Sequence, residues 1–239
     1  MPEPKQKKQL KARGSKRYRA SRALIAVGKS YPVAEAIGLL KQMPQGKFDA
    51  AVEVHCKLGV DVKQANQLVR GSTVLPHGTG KKLRVAVFCG EEKTAEAKAA
   101  GAVVVGGEEL VKEVQTTGRC DFDVAVATPA MMKLLAPIAK ILGQKGLMPN
   151  PKTETITEHV GEVVGKLLKG KVSFKVDDTG NVHQMIGRVS FDDAKLAENF
   201  AAFFDAVKRA KPAGAKGTYL QKVVICSSMG PAVQVAIGS

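Results

Sequence analysis

The sequence predicts two domains of mixed class: a split α+β domain from both chain ends and an inserted three-layer α/β domain. The length of 239 residues allows one large domain or two ordinary ones, at roughly 100–200 residues each. Strands near both ends alternate apolar and polar residues, whereas the middle has continuous apolar runs separated by helical periodicity. A composition of 44% hydrophobic and 25% charged residues is typical of globular proteins and excludes a fibrous or wholly disordered chain.

The N-terminal part predicts one helix and one half-buried strand. The helix begins near Pro32 and ends before Pro44, with apolar residues at helical spacing between them. The strand covers residues 48–58, with apolar residues at every second position. Its polar face is formed by Asp49, Glu53, His55 and Lys57.

The middle of the chain predicts a parallel sheet covered by helices. Apolar runs at 83–88, 103–105 and 122–127 are each followed by a helical pattern. Runs without alternation are typical of strands buried on both faces, and this strand–helix order implies parallel pairing.

The C-terminal part returns to the alternating pattern, and it predicts a helix, a hairpin, a long helix and two final strands. One N-terminal helix and strand cannot bury a core alone, so we expect both chain ends to form one domain. The two connections between the domains then make a hinge plausible. The predicted divisions are a basic tail at 1–22, a split α+β domain at 23–69 and 159–239, and an inserted α/β domain at 70–158.

The excess of positive charge is concentrated at the N-terminus. The chain has a net charge of +15, and residues 1–22 carry nine basic side chains against the single acid Glu3. A polyanion is the natural partner, because each neutralised phosphate releases counterions. The alternative is a tail that only keeps the protein soluble.

Targeting and metal signals are weak. The first apolar patch is too short for a secretory signal, and no stretch approaches the ~20 residues of a membrane span. The four Cys and four His are scattered without metal-ligand spacing, and His159 and His183 are interpreted as structural or surface residues. We therefore predict a cytoplasmic protein without membrane contact, metal or cofactor.

The sequence motifs that could indicate catalysis are incomplete. Gly28-Lys29-Ser30 and Gly80-Lys81-Lys82 lack the upstream glycine of a phosphate loop, and Gly106-Gly107 lacks dinucleotide-fold spacing. His55 and Cys56 are neighbours on a strand, so they point to opposite faces and cannot form a dyad. We predict no enzymatic activity.

Several segments, in order from residue 16 to 231, resemble the universal large-subunit ribosomal protein number one family, of bacterial type. That family builds the mobile stalk beside the tRNA exit site. The resembling segments are Lys16-Arg17-Tyr18-Arg19, 47–59, 66–71, 75–81, the loop 142–152, and Ser228-Met229-Gly230-Pro231.

The resemblance implies a split domain that grips a folded element of large-subunit ribosomal RNA, and a Rossmann-like insert that binds no nucleotide. It also implies contact with exit-site tRNA, repression of the protein's own messenger RNA in bacteria, and a monomer within the ribosome. Departures occur where the family reads Arg-Asn-Asp-Lys and this chain has Lys175-Val176-Asp177-Asp178, which should weaken RNA contact there.

Candidate site residues follow from these motifs. Lysines and hydroxyls can reach phosphates and 2′-hydroxyls, and an aromatic can pack on a sugar or base. Phe48 could instead belong to the core, and the turn at 227–231 could be a plain bulge. The RNA-binding candidates are Lys47, Phe48, Glu53, His55, Lys57, Lys171, Lys175, Asp177, Ser227, Ser228, Met229 and Gly230. The possible tRNA contacts are Lys81, Lys82 and Lys145.

Overall fold

The computed structural model describes residues 14–236. Most of the predicted basic tail, residues 1–13, lies outside this range. The described helices are α1 (Lys16–Ala23), α2 (Val33–Gln42), α3 (Glu91–Ala99), α4 (Glu108–Thr117), α5 (Ala139–Gln144), α6 (Val160–Leu168) and α7 (Asp193–Arg209). The strands are β1 (Ala51–Leu58), β2 (Arg70–Val74), β3 (Val85–Phe88), β4 (Val104–Gly106), β5 (Val124–Ala127), β6 (Lys171–Lys175), β7 (Asn181–Arg188), β8 (Leu220–Ser227) and β9 (Val233–Val235).

A four-stranded antiparallel sheet joins distant parts of the chain in the order β7-β1-β8-β9. One of its two inner strands, β1, comes from the N-terminal part, and the other three strands come from the C-terminal third. The alternation of β1 buries Val52, Val54, Cys56 and Leu58 against apolar side chains of α2 and α7. The opposite face of this sheet, turned away from α2 and α7, is called the open face below.

The last part of the predicted tail is a helix. Residues Lys16–Ala23 form α1, and the Tyr18 amide donates to the Ser15 side chain, which caps the N-terminus. The sequence analysis predicted no helix there, because a run of basic residues shows little apolar periodicity.

A two-stranded antiparallel ladder connects the two halves of the fold. β2 pairs with β6, with Ser72 opposite Ser173. Val69 and Leu75, which flank β2, are buried in the same core as the four-stranded sheet. The start of the predicted insert, at residue 70, therefore packs with the chain ends.

The three-stranded parallel sheet has the order β4-β3-β5 and is buried on both faces. One face packs on α4 and on short turns after β5, and the other packs on α3 and α6. The predicted three layers of mixed α/β class are thus observed. No helix within residues 14–236 is long and apolar enough to cross a membrane.

Helix α6 lies elsewhere than the sequence analysis expected. The sequence pattern groups it with the split domain, but Val160, Val164 and Leu167 share a core with Val85 and Val87. A parallel sheet needs helices on both faces, and the apolar stripe of α6 completes the second layer. This packing favours an insert of about residues 76–169 over the predicted 70–158.

Candidate RNA-binding surface

The open face carries the polar side chains that alternate with the core residues of β1. Glu53, His55 and Lys57 all point to this face and are partly exposed. The register of the sheet adds neighbours from two other strands. On β7, His183 lies opposite His55, and on β8, Cys226 lies opposite Glu53 and Lys222 opposite Lys57.

Two histidines and one aspartate form a hydrogen-bonded row across β1 and β7. His55 Nδ1 lies 2.8 Å from His183 Nδ1, and His183 Nε2 lies 3.3 Å from a carboxylate oxygen of Asp177. Burial, together with His183, lowers the pKa of His55, and Glu53 only partly offsets this effect. His55 is therefore neutral near pH 7 and acts here as a hydrogen-bonding group.

Asp177 organises the turn between β6 and β7. Partial burial raises its pKa, but hydrogen bonds from the Asn181 amide and from Thr179 outweigh this and hold the pKa far below its ordinary value. The carboxylate is thus already occupied by protein donors. Its role in the structure is to shape the turn and orient His183.

Lys57 lies at the end of β1 beside the same turn. Its ammonium group donates to the Thr179 carbonyl, so it is directed over the turn. Lys175 is exposed at the end of β6, next to this turn. These two cations and Lys222 border one end of the open face.

The turn after β8 is tied to β1. The Ser228 amide donates to the Ala51 carbonyl at 3.0 Å, and the Ser228 hydroxyl donates to a carboxylate oxygen of Glu53 at 3.1 Å. A Cβ on Gly230 would lie 2.3 Å from the Ser227 hydroxyl, so a larger residue here would force that hydroxyl to move. Ser227 itself is buried, whereas Met229 is 61% exposed.

Phe48 lies outside the strand that the sequence predicted to begin with it. β1 starts at Ala51, and the Phe48 ring is 55% exposed, so the alternative interpretation of Phe48 as a core residue is wrong. Ala50 is still buried in phase with Val52, but the alternation ends there and does not extend to Phe48. The ring contributes instead to a surface depression, called the rim recess, lined by Arg17, Met43, Gly46, Phe48, Met229 and Gly230.

Four cations near this surface are not among the site residues predicted from the sequence. Arg17 of α1 lines the rim recess beside Phe48 and Met229. Arg22, Lys29 and Lys222 line a second depression next to the open face, together with Val224 and Gln234. Lys222 could have been found from the alternation of the β8 strand, but the position of Arg17 depends on how α1 packs.

Lys171 is separated from the other candidates. It is 5% exposed on β6, and its ammonium group is paired with Glu154. β6 pairs with β2 and not with the four-stranded sheet. The structure therefore does not bring Lys171 to the open face, and its ion pair with the exposed Glu154 gives this lysine a structural role.

The three lysines predicted to contact tRNA differ in whether their ammonium groups already have partners within the protein. Lys81 pairs with Asp123 at 2.8 Å, and this bond, with the Arg84 amide, lowers the pKa of Asp123 to about 2. Lys145 donates to the Gly118 carbonyl at 3.1 Å. Lys82 is exposed and forms no ion pair with any residue between 14 and 236.

An exposed sheet face with bordering cations, hydroxyls and two exposed apolar side chains defines the class of this protein. It offers what structured RNA presents: phosphates, 2′-hydroxyls and the flat faces of bases. A surface of this kind on a mixed α/β fold is typical of the class of RNA-binding proteins.

The comparison with protein families is more specific. The model of the Ribosomal protein L1p/L10e family matches residues 39–231, and the chain belongs to this family. This confirms the family resemblance found in the sequence, and the bacterial type stays a prediction. Membership makes the protein a non-enzymatic structural component of the large ribosomal subunit that binds ribosomal RNA, in the cytoplasm.

Proposed function

We propose that this protein holds a folded element of large-subunit ribosomal RNA on the open face and the rim recess, and carries its inserted α/β part outward at the tRNA exit site. The observation that carries the proposal is the contact between Glu53 and Ser228 across 175 residues of sequence. It joins the β1 strand and the Ser-Met-Gly turn into one continuous surface.

The rim recess supports contact with bases or sugars. The exposed Phe48 ring and the Met229 thioether lie together there, and the neighbouring Lys47 and Arg17 supply positive charge. An exposed aromatic beside cations suits an unstacked base next to its phosphate. Gly230, without a side chain, lets an RNA backbone approach closely.

The open face supports recognition of the 2′-hydroxyl. Glu53 accepts hydrogen bonds, and neutral His55 can donate or accept, so together they match a group that does both. Lys57 and Lys175 lie where a phosphate would pass the end of the sheet. Asp177 supports the site by positioning His183, and Lys171 is left out of our proposed contact set.

A binding measurement tests this assignment. Filter binding of the full chain to a large-subunit RNA fragment should be tight, with an affinity that falls steeply as salt rises. Lys57→Ala should weaken binding and reduce the salt slope by about 0.7–0.9. Lys195→Ala removes a lysine of α7 that is more exposed than Lys57, and it serves as the control. Equal affinity for an unstructured RNA of the same composition would contradict the proposal.

Contact with exit-site tRNA is proposed through the insert, with Lys82 as the main cation. Lys81 and Lys145 already have protein partners, so they bind phosphate only by giving these up. Lys82→Ala should weaken tRNA binding and leave binding of the ribosomal fragment unchanged. Lys98→Ala, on α3 of the same insert, is the matched control, and equal effects of both would remove Lys82 from the site.

Repression of the protein's own messenger is proposed to use the same surface. An RNA element with a similar fold presents the same phosphates and 2′-hydroxyls, so it should compete with the ribosomal fragment. Competition binding with the messenger leader tests this. Simultaneous binding of both RNAs to one chain would show that the messenger uses a different surface.

A further inference from the structure

Three potential metal ligands converge on the open face. Glu53 and His55 are two residues apart on β1, and Cys226 is the cross-strand partner of Glu53 on β8. His55 Nε2 lies 3.1 Å from the Cys226 sulfur and 3.8 Å from a carboxylate oxygen of Glu53. All three ligand atoms lie within 4.8 Å of one another.

These separations are close to those of a tetrahedral metal site. Zinc bonds of about 2.0–2.3 Å place neighbouring ligand atoms about 3.3–3.8 Å apart. Movements of a few tenths of an ångström to about one ångström at the ends of partly exposed side chains would complete the geometry. The backbone of the sheet can stay as it is, since all three residues already project to one side.

The hydrogen bonds around His55 leave its Nε2 atom available to bind a metal ion. The Asp177 carboxylate only accepts hydrogen bonds, so it selects the proton on His183 Nε2. His183 Nδ1 is then an acceptor, and it receives the proton of His55 Nδ1 at 2.8 Å. His55 Nε2 therefore carries a lone pair directed toward Cys226 and Glu53. Histidine ligands of zinc are typically held in this way by a second hydrogen-bond partner.

Glu53 is oriented by a separate contact. The Ser228 hydroxyl donates to one carboxylate oxygen at 3.1 Å, and the other oxygen faces His55. The carboxylate can thus offer one oxygen to a metal while it keeps its hydrogen bond. Two of the three candidate ligands are positioned by neighbouring side chains.

We propose that Glu53, His55 and Cys226 form a zinc site with an open fourth position. Mixed sulfur, nitrogen and oxygen ligands suit zinc, whereas Mg²⁺ and Ca²⁺ select oxygen ligands. On binding, the Cys226 thiol loses its proton to solvent and a sulfur–zinc bond forms. Water occupies the fourth position, which faces solvent. This activity goes beyond RNA binding and needs no RNA.

The test uses the full chain without RNA, with Co²⁺ as a spectroscopic probe and Zn²⁺ as competitor. Wild type should bind one Co²⁺ per chain, with a thiolate-to-cobalt charge-transfer band in the near ultraviolet that Zn²⁺ abolishes. Cys226→Ser should remove the band. Cys120→Ser is the matched control, because Cys120 is also partly exposed but lies near the core beside the parallel sheet, and it should leave the band intact.

Two further variants separate ligands from supporting residues. Glu53→Gln should lower Zn²⁺ affinity at least tenfold while it keeps the acceptor for Ser228. His183→Ala should weaken binding about 10–100-fold without loss of the band, because His183 only orients a ligand. Circular dichroism measures whether each variant is folded. If Cys226→Ser does not fold, Glu53→Gln and His183→Ala still test the proposal.

Absence of the band in wild type, or a band equally reduced in Cys226→Ser and Cys120→Ser, would overturn the proposal. Unchanged Zn²⁺ affinity in both Glu53→Gln and His183→Ala would do the same. The assay contains no RNA, so these results are independent of whether the RNA-binding assignment holds.

Discussion

Truncation of Phe48 should weaken RNA binding while it leaves the protein folded. With 55% of the side chain exposed, Phe48→Ala removes less than half of the burial that a core phenylalanine contributes. We therefore expect a loss of about 1 kcal/mol or less in the free energy of unfolding. Loss of one stacked base costs about 1–3 kcal/mol, which is about a 5- to 150-fold rise in Kd.

The salt dependence makes this prediction specific. Phe48 carries no charge, so the slope of log affinity against log salt should stay that of wild type. Arg17→Ala, in the same recess, should instead reduce the slope by about 0.7–0.9 for one lost phosphate contact. Fluorescence anisotropy with a labelled large-subunit RNA fragment at several salt concentrations measures both quantities.

A matched variant controls for general effects of exposed apolar groups. Val103 is 61% exposed, as is Met229, but it lies in the insert beside β4. Val103→Ala should bind RNA as wild type does, whereas Met229→Asp should lose more than ~1 kcal/mol of binding energy. Wild-type affinity in folded Phe48→Ala and Met229→Asp would refute the assignment of the rim recess to RNA contact.

Three predictions concern the stability of the scaffold. Asn199 is buried and donates to the carbonyls of Gly78 and Ile186, so Asn199→Ala should lower the free energy of unfolding by about 3 kcal/mol in urea denaturation. Asp123 has its pKa lowered from 3.8 to about 2, so its ion pairs stabilise the fold above about pH 4 and this contribution is lost toward pH 2. At pH 7 the free energy of unfolding of wild type should therefore exceed that of Asp123→Asn by about 1 kcal/mol, after solvent screening. The difference in melting temperature between the two proteins should disappear in acid. A difference that stays constant with pH would contradict this. Gly170→Ala should destabilise the fold by about 1–3 kcal/mol, because φ is +108° and a Cβ would lie 2.5 Å from the Gly78 Cα. Gly143 has open space around it, so Gly143→Ala should not destabilise the fold. Equal thermal stability of the two variants would disprove the stated cause.

Comparison of two candidate residues shows where sequence patterns stop being informative. Lys57 and Lys171 both sit at or near the end of a predicted strand with a basic side chain. The structure buries Lys171 beside Glu154 and leaves Lys57 at the open face. Strand periodicity predicts which side of a strand a residue occupies, but not which other element covers that side.

The Glu53–His55–Cys226 cluster illustrates the same limit more strongly. The sequence analysis predicted no metal site, because no ligands occur at the short spacings of zinc motifs. Cys226 is separated from His55 by 171 residues and meets it only because β8 pairs with β1. The prediction of an absent metal thus depended on local spacing alone, which cannot detect ligands joined by a sheet register.

Short-range sequence patterns predicted the mixed α/β class, the buried face of β1 and the parallel sheet of the middle region. Contiguous motifs predicted the family to which the chain belongs. Each of these depends on residues that are close together in the sequence. Tertiary structure decided that Phe48 is exposed beside Arg17 and Met229, that α6 completes the parallel sheet, and that Lys171 is withdrawn from the surface. The physical reason is that burial and contact depend on which faces pack together. Residues from different segments of the chain determine this jointly, so it cannot be deduced from any one segment.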